Sequence, residues 1–161
     1  MHERLRLAGH AAEFLDLAAC DLPLCEGDGA AQAPAAVDVR RAIAEADGIA
    51  LSFPIYNYDA GAAAKNLIEL TGSAWEDKVV AMLCAAGART SYMAPMSLAA
   101  SLMLDFRCHI VPRFLMAVPE DFRGDSIESQ NVRARIDDLA ADLARVTVAL
   151  RGWERAEQAQ D

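Results

Sequence analysis

Apolar residues along this chain fall into two kinds of segment that alternate. Short runs bounded by polar residues predict strands at residues 13–17, 48–53, 78–84 and 109–116. Between them, apolar positions recur at three- and four-residue steps and predict helices. Residues 37–46 place Val39, Ala42, Ile43 and Ala46 on one face, and residues 61–71 do the same with Ala64, Leu67, Ile68 and Thr71. Gly72 stands just past that second helix as a C-cap. Residues 94–104 form a third helical pattern, with Pro95 tolerable in its first turn. Residues 126–150 form a long amphipathic helix through Val132, Ile136, Leu139, Leu143, Val146 and Leu150. The Ala/Gly-rich residues 27–36, with Pro34 among them, predict a loop leading into a helix.

Strands alternating with helices predict a parallel sheet covered on both faces, an α/β doubly wound architecture. At 161 residues the chain is expected to form one domain, with the polar residues 151–161 as a frayed tail. In such sheets ligands bind beyond the carboxyl ends of the strands. The places to look are therefore just after Phe53 and just after Cys84.

Charge narrows the partners. The net charge is −9, with acidic residues spread along the chain, which disfavours a nucleic-acid partner. No apolar run is long enough to span a bilayer, and the first residues carry no apolar signal-peptide core, so the expected location is the cytoplasm. Cys20, Cys25, Cys84 and Cys108 form no C-x-x-C pair, and no histidine stands at zinc-ligand spacing from them. No metal site is expected; all four read as reduced thiols, with Cys84 and Cys108 filling the core. His109 reads as a core or edge residue, Arg107 and Arg113 as surface ion-pairing groups, and the methionines from Met93 to Met103 as core or interface packing.

Two loops carry candidate chemistry. Pro54, Ile55, Tyr56, Asn57 and Tyr58 follow the second strand. Pro54 stiffens a turn, Asn57 can bond its own backbone, and the tyrosines can wall a flat aromatic ligand. A tyrosine-containing turn that merely caps the core accounts for the composition equally well. Ala86, Gly87, Ala88, Arg89, Thr90, Ser91 and Tyr92 follow the third strand. Small residues there allow close ligand approach, Arg89 can meet an anion and Tyr92 can stack. Tight strand–helix loops also use small residues for steric reasons alone.

Pro54-Ile55-Tyr56-Asn57 followed by Lys65-Asn66 resembles the P-x-Y-N…K-N signature of the NAD(P)H-dependent FMN reductases, which include azoreductase- and quinone-reductase-like members. Residues 84–89 are similar to that family's second flavin loop, residues 14–24 to its second strand and following loop, and residues 105–107 and 112–114 to the approach to its last strand and part of it. The resemblance implies a flavodoxin-like, three-layer fold binding FMN noncovalently. Pro54 to Tyr58 would edge the ring system, and Ala86, Gly87, Ala88, Arg89, Ser91 and Tyr92 would cover its other side. NAD(P)H would pass a hydride to the flavin, which does the chemistry, so no side chain is nominated as catalytic. The electron acceptor would be a small molecule such as a flavin, quinone or azo compound, and the assembly a homodimer or homotetramer. An alternative is a non-enzymatic electron carrier or oligomeric scaffold of the same fold with weakened flavin binding.

The family's opening strand and phosphate loop have no counterpart in the sequence, so the fold is expected to be N-terminally truncated. Residues 1–9 read instead as the tail of the first helix. Three expectations stand side by side: a natural chain that starts earlier, a strand at residues 13–17 shifted beside the strand at 49–53, or a strand supplied by another chain.

Overall fold

The computed structural model describes residues 1–27 and 29–158. In chain order the elements are α1 (His2–Leu7), α2 (Pro34–Glu45), β1 (Gly48–Tyr56), β2 (Asp59–Ala60), α3 (Ala62–Thr71), β3 (Val79–Ala85), α4 (Met96–Phe106), β4 (His109–Ile110), β5 (Leu115–Ala117), β6 (Phe122–Arg123), β7 (Ser126–Ile127) and α5 (Gln130–Gln158). β1 and β3 pair in parallel over their whole shared length, from Gly48 opposite Val79 to Pro54 opposite Ala85. β4 and β5 both lie parallel to β3 on its other side, and β2 turns back antiparallel on the end of β1.

Alternation along the parallel strands decides which helix each residue meets. Leu51, Phe53, Val80 and Met82 face α2, α3 and α4, packing with Val39, Ile43, Leu67, Ile68, Leu98 and Leu102. Val79, Ala81 and Leu115 face the other way, against Val132, Leu139 and Leu143 of α5 and Leu5 of α1. Three layers result. Complete burial of each aliphatic side chain contributes about 1.5–3 kcal/mol, which makes the two faces of β3 the main source of cohesion. Gly48 is required by the α5 side: a Cβ there would lie 2.5 Å from Thr147 Oγ1 and 3.3 Å from Leu143 Cδ1.

Two buried polar groups are satisfied within this frame. The Thr71 hydroxyl donates to the Leu67 carbonyl and accepts from Trp75 Nε1 at 2.7 Å, so a fully enclosed tryptophan keeps its hydrogen bond. Lys78 Nζ donates to the Ala44 and Ala46 carbonyls at 2.7 Å each, placing a cation at the carbonyl end of α2. Gly72 caps α3 with φ +49°, as the sequence predicts. No helix among the described residues is long and apolar enough to cross a membrane.

Four expectations are corrected. Residues 13–17 form no strand: the Asp16 carboxylate accepts the Ala18 N–H and turns the chain into a 3-10 segment, Leu17–Ala19, while Phe14 stays 75% exposed. The shifted-strand arrangement is thereby excluded, and among the described residues β1 pairs on its outer edge only at Ile55 and Tyr56. The strand at 109–116 is broken into β4 and β5, because Pro112 and Arg113 (φ +65°) form a bulge in which five steps of this edge match three of β3. Residues 126–127 pair with 122–123 as a small hairpin, so α5 starts at Gln130. That helix continues to Gln158; residues 159–161 lie outside the described residues.

Candidate functional site

The register of β1 on β3 sets Pro54 beside Ala85, so the two loops singled out in the sequence leave the sheet side by side. The first is tighter than expected. β1 does not stop at Phe53 but runs through Pro54 and Ile55 to Tyr56, and pairs with β2 across a two-residue turn. Asn57 (φ +51°) and Tyr58 (φ +65°) are both left-handed, the geometry of a type I′ hairpin turn. Asn57 suits it by tolerating positive φ, whereas a tyrosine there carries strain. Pro54 therefore lies within a strand and does not stiffen a turn. Its carbonyl accepts the Gly61 N–H at 2.8 Å, and a Cβ on Gly61 would come within 2.9 Å of the Pro54 ring.

Side chains of the hairpin divide cleanly. Ile55 is buried in the core and offers a ligand only its backbone. Tyr56 and Tyr58 project outward, 64% and 57% exposed, with no packing role that would account for two aromatic rings. Asp59 anchors the hairpin to α4 through a 2.5 Å hydrogen bond from Ser97 Oγ. That hydroxyl, followed by the Ala60 N–H, holds the Asp59 carboxyl below the usual carboxylate range.

The second loop is pinned at its base and at its middle. Ala86 is buried and its N–H donates to the Ala117 carbonyl at 2.9 Å, continuing the ladder toward β5. Gly87 and Ala88 are exposed, and Arg89–Ser91 form a single 3-10 turn. Arg89 Nη2 lies 3.0 Å from both oxygens of Asp121, in the turn after β5. Ser91 is half-buried, and Tyr92 leaves 39% of its surface open while its ring meets that of Phe114 at 6.4 Å. Asp121 is itself buried. The Val118 N–H, then the Ser129 hydroxyl and the Arg89 guanidinium, hold its carboxyl below the usual range against the opposing effect of burial.

The sequence did not single out several neighbours of these loops. Ser52, Pro54 and Ala85 are exposed on the sheet face that α5 covers lower down, leaving a floor of small side chains between the two loops. Asp59, Ser97 and Asp121 brace the loops from outside. A carboxylate directly after an Asn-Tyr turn is a faint signal; Asp121 has none, since its partner is 32 residues away. Asn66 of the K-N pair serves the fold: Oδ1 accepts the Cys25 N–H at 2.8 Å and Nδ2 donates to the Pro23 carbonyl at 2.9 Å. Lys65 pairs with Glu69 one turn on. Arg107 pairs with Asp77 and Glu76, as a surface group should, while Arg113 has no ion pair among the described residues. Met93, Met96 and Met103 are exposed and do not pack the core. A cavity of about 410 Å³ between α3 and α4, near Cys25 and Asp105, and another of about 280 Å³ beside α2 include no residue of either loop. The loops and their polar braces are a better candidate than either cavity, because exposed aromatic rings stand beside a floor of small side chains there.

This arrangement fits a flat, partly polar ring system: backbone edges from two rigid loops, a small-residue floor, and tyrosines on the rim. The profile of the family described as NADPH-dependent FMN reductase matches residues 1–123, a span that includes both loops and ends before α5. No curated protein matches the chain. Among solved structures, an oxidoreductase from Corynebacterium diphtheriae superposes with a TM-score of 0.70 at 18% identity, covering 92% of this chain and 82% of its own. An NADH:FMN oxidoreductase in its apo form gives 0.65 at 18% identity, with 91% and 76% covered. The NAD(P)H:acceptor oxidoreductase FerB from Paracoccus denitrificans gives 0.66 at 19% identity, with 89% and 87% covered. At these identities the superpositions establish the fold, which is the flavodoxin-like one expected.

Proposed function

We propose, from the premise that this chain belongs to the NADPH-dependent FMN reductase family and is an NAD(P)H-dependent FMN oxidoreductase, that its flavin is held between the β1–β2 hairpin and the loop after β3. The observation that carries this reading is the juxtaposition of Pro54 and Ala85, which aligns two loops the sequence could only nominate separately. Pro54 lies along the ring edge, with Ile55, Asn57, Ala86, Gly87 and Ala88 presenting backbone groups to it; Tyr56, Tyr58 and Tyr92 exclude water from its rim; Ser91 adds a hydroxyl and Arg89 a cation. Bound FMN would supply the capacity to take a hydride from NAD(P)H and pass it on. The chain's own contribution is orientation. Hydrogen bonds from Ser97 to Asp59 and from Arg89 to Asp121 keep both loops in place, so the ring meets a preorganised slot and little ordering entropy is lost.

The acceptor we favour is a small planar molecule, a flavin, quinone or azo compound, since an open floor of Ser52, Pro54 and Ala85 offers shape and no specific charge. A homodimer or homotetramer would cover the exposed Tyr56, Tyr58, Met93 and Met96. The test is an FMN titration followed by flavin fluorescence quenching, with NAD(P)H oxidation then measured against several acceptors. Saturable binding at micromolar FMN or tighter, weakened by Tyr56→Ala, is the expected result. A folded protein that leaves FMN fluorescence unchanged would overturn the site.

A further inference from the structure

Among the described residues three polar or charged side chains are buried: Thr71, Lys78 and Asp121. Thr71 and Lys78 complete hydrogen bonds inside the fold. Asp121 does so only in part. One carboxylate oxygen accepts the Val118 N–H at 3.0 Å, and the main-chain carbonyl of Asp121 accepts from Glu128 and Ser129, which closes the local turn without any arginine. Yet the same carboxylate, 4% exposed as a residue, also grips Arg89, whose side chain is 61% exposed.

The grip uses Nη2 alone. Nε and Nη1 of Arg89 have no protein partner among the described residues, so the group is fixed through one nitrogen while N–H donors on the other two remain available. An exposed ion pair adds little stability, about 0–1 kcal/mol. An anchored guanidinium with donors left on Nε and Nη1 is, however, held in place to give an oxyanion a charge-assisted hydrogen bond. The sequence around it sharpens the point. Residues 48–64 contain no Lys or Arg, and Arg89 is the one cation in residues 79–106. On a chain of net charge −9, Arg89 is the one cation that these two loops themselves carry.

We propose that Asp121 is a positioning residue for Arg89, and that the pair forms a phosphoryl-recognition element on the rim of the site. This rests on the nucleotide chemistry assigned above. The phosphoryl group belongs to FMN or to NAD(P)H, and the experiment separates the two.

Arg89→Gln, Arg89→Lys, Asp121→Asn and the Arg89→Gln/Asp121→Asn double variant would be compared with the parent protein. FMN and riboflavin would be titrated by fluorescence, and kcat and KM measured for NADPH and NADH, with circular dichroism and Tm as checks on folding. Loss of charge-assisted hydrogen bonds corresponds to about tenfold or greater weakening for Arg89→Gln. The expected pattern is that loss of affinity, partial recovery in Arg89→Lys, and a smaller loss in Asp121→Asn. The double variant should be no weaker than Arg89→Gln alone, because Asp121 acts through Arg89. Weakened FMN with unchanged riboflavin assigns the flavin phosphate; a raised KM for NAD(P)H with unchanged FMN affinity assigns the dinucleotide. Arg89→Gln leaving all of these within twofold overturns the proposal. So does an additive double variant, which would make Asp121 a fold residue only. If the parent protein binds no FMN, the flavin reading fails instead, and direct NADPH titration still decides: binding that does not depend on Arg89 overturns the inference.

Discussion

Tyr58 shows how much a single side chain can be asked to do at the site. Its left-handed backbone costs about 1–2 kcal/mol for a non-glycine residue, and nothing in the hairpin but the turn requires it. Glycine would remove that strain while adding about 0.5–1 kcal/mol of backbone entropy to the unfolded chain. The two together predict that Tyr58→Gly gains a little stability, a rise in Tm of about 1–3 °C, and weakens FMN because an exposed ring is lost from the rim. Differential scanning calorimetry and FMN titration of one sample check both halves; a lower Tm would show that Tyr58 packs rather than strains. Asn57 and Tyr58 were legible in the sequence as unusual residues after a strand, but their role as the two centres of a type I′ turn was not. That role depends on β2 returning to pair with Ile55 and Tyr56, which no local pattern announces.

At the scale of elements, the K-N pair at the start of α3 changes meaning once its neighbours are known. Lys65 and Asn66 were legible as part of a motif, yet Asn66 ties α3 to residues 23–25, 41 and 43 positions earlier in the chain. Its removal deletes two hydrogen bonds and leaves the Cys25 N–H unpaired. Asn66→Ala should therefore cost about 1–3 kcal/mol in urea unfolding and speed labelling of the Cys25 thiol by a maleimide reagent. Unchanged labelling with full stability would mean that the clamp is idle. The two edges of the sheet differ in the same long-range way. Pro112 and the Arg113 bulge interrupt the β4–β5 edge and blunt it against further pairing, whereas Gly48 to Phe53 of β1 is a regular apolar run. Residues 13–17 carry a strand-like apolar run, but Asp16 turns them away through the Ala18 N–H. An apolar run predicts extended backbone only if a partner strand stands beside it.

For the whole molecule, burial of two thiols sets a pH limit on stability. Desolvation pushes Cys84 up to about 12 from 9.0, and Cys108, also buried and donating to the Trp75 carbonyl, up to about 11. In the unfolded chain both release their protons near pH 9, so above that pH the unfolded state binds fewer protons than the native state. Stability from these groups is fully present below pH 9 and declines as pH rises toward 11 and 12, by up to about 1.4 kcal/mol per pH unit for each thiol. Urea titrations at pH 8, 9, 10 and 10.5 should show that decline, flattened in a Cys84→Ala/Cys108→Ala variant. An identical slope in the variant would assign the loss to other groups.

The chain's own letters determined the α/β alternation, the helical faces of α3 and α5, the Gly72 cap and the two strand ends proposed to hold the ligand. Each is a matter of short-range periodicity or of one residue's backbone preference, and both are local physics. Tertiary structure alone decided that Pro54 lies beside Ala85, that residues 13–17 are not a strand, that the last strand is broken, and that Arg89 is held by Asp121. These depend on pairing and charge contacts between residues tens of positions apart. Such contacts form because folding brings chemically matched groups into a low-dielectric setting together, and nothing in the spacing of residues along the chain encodes that meeting.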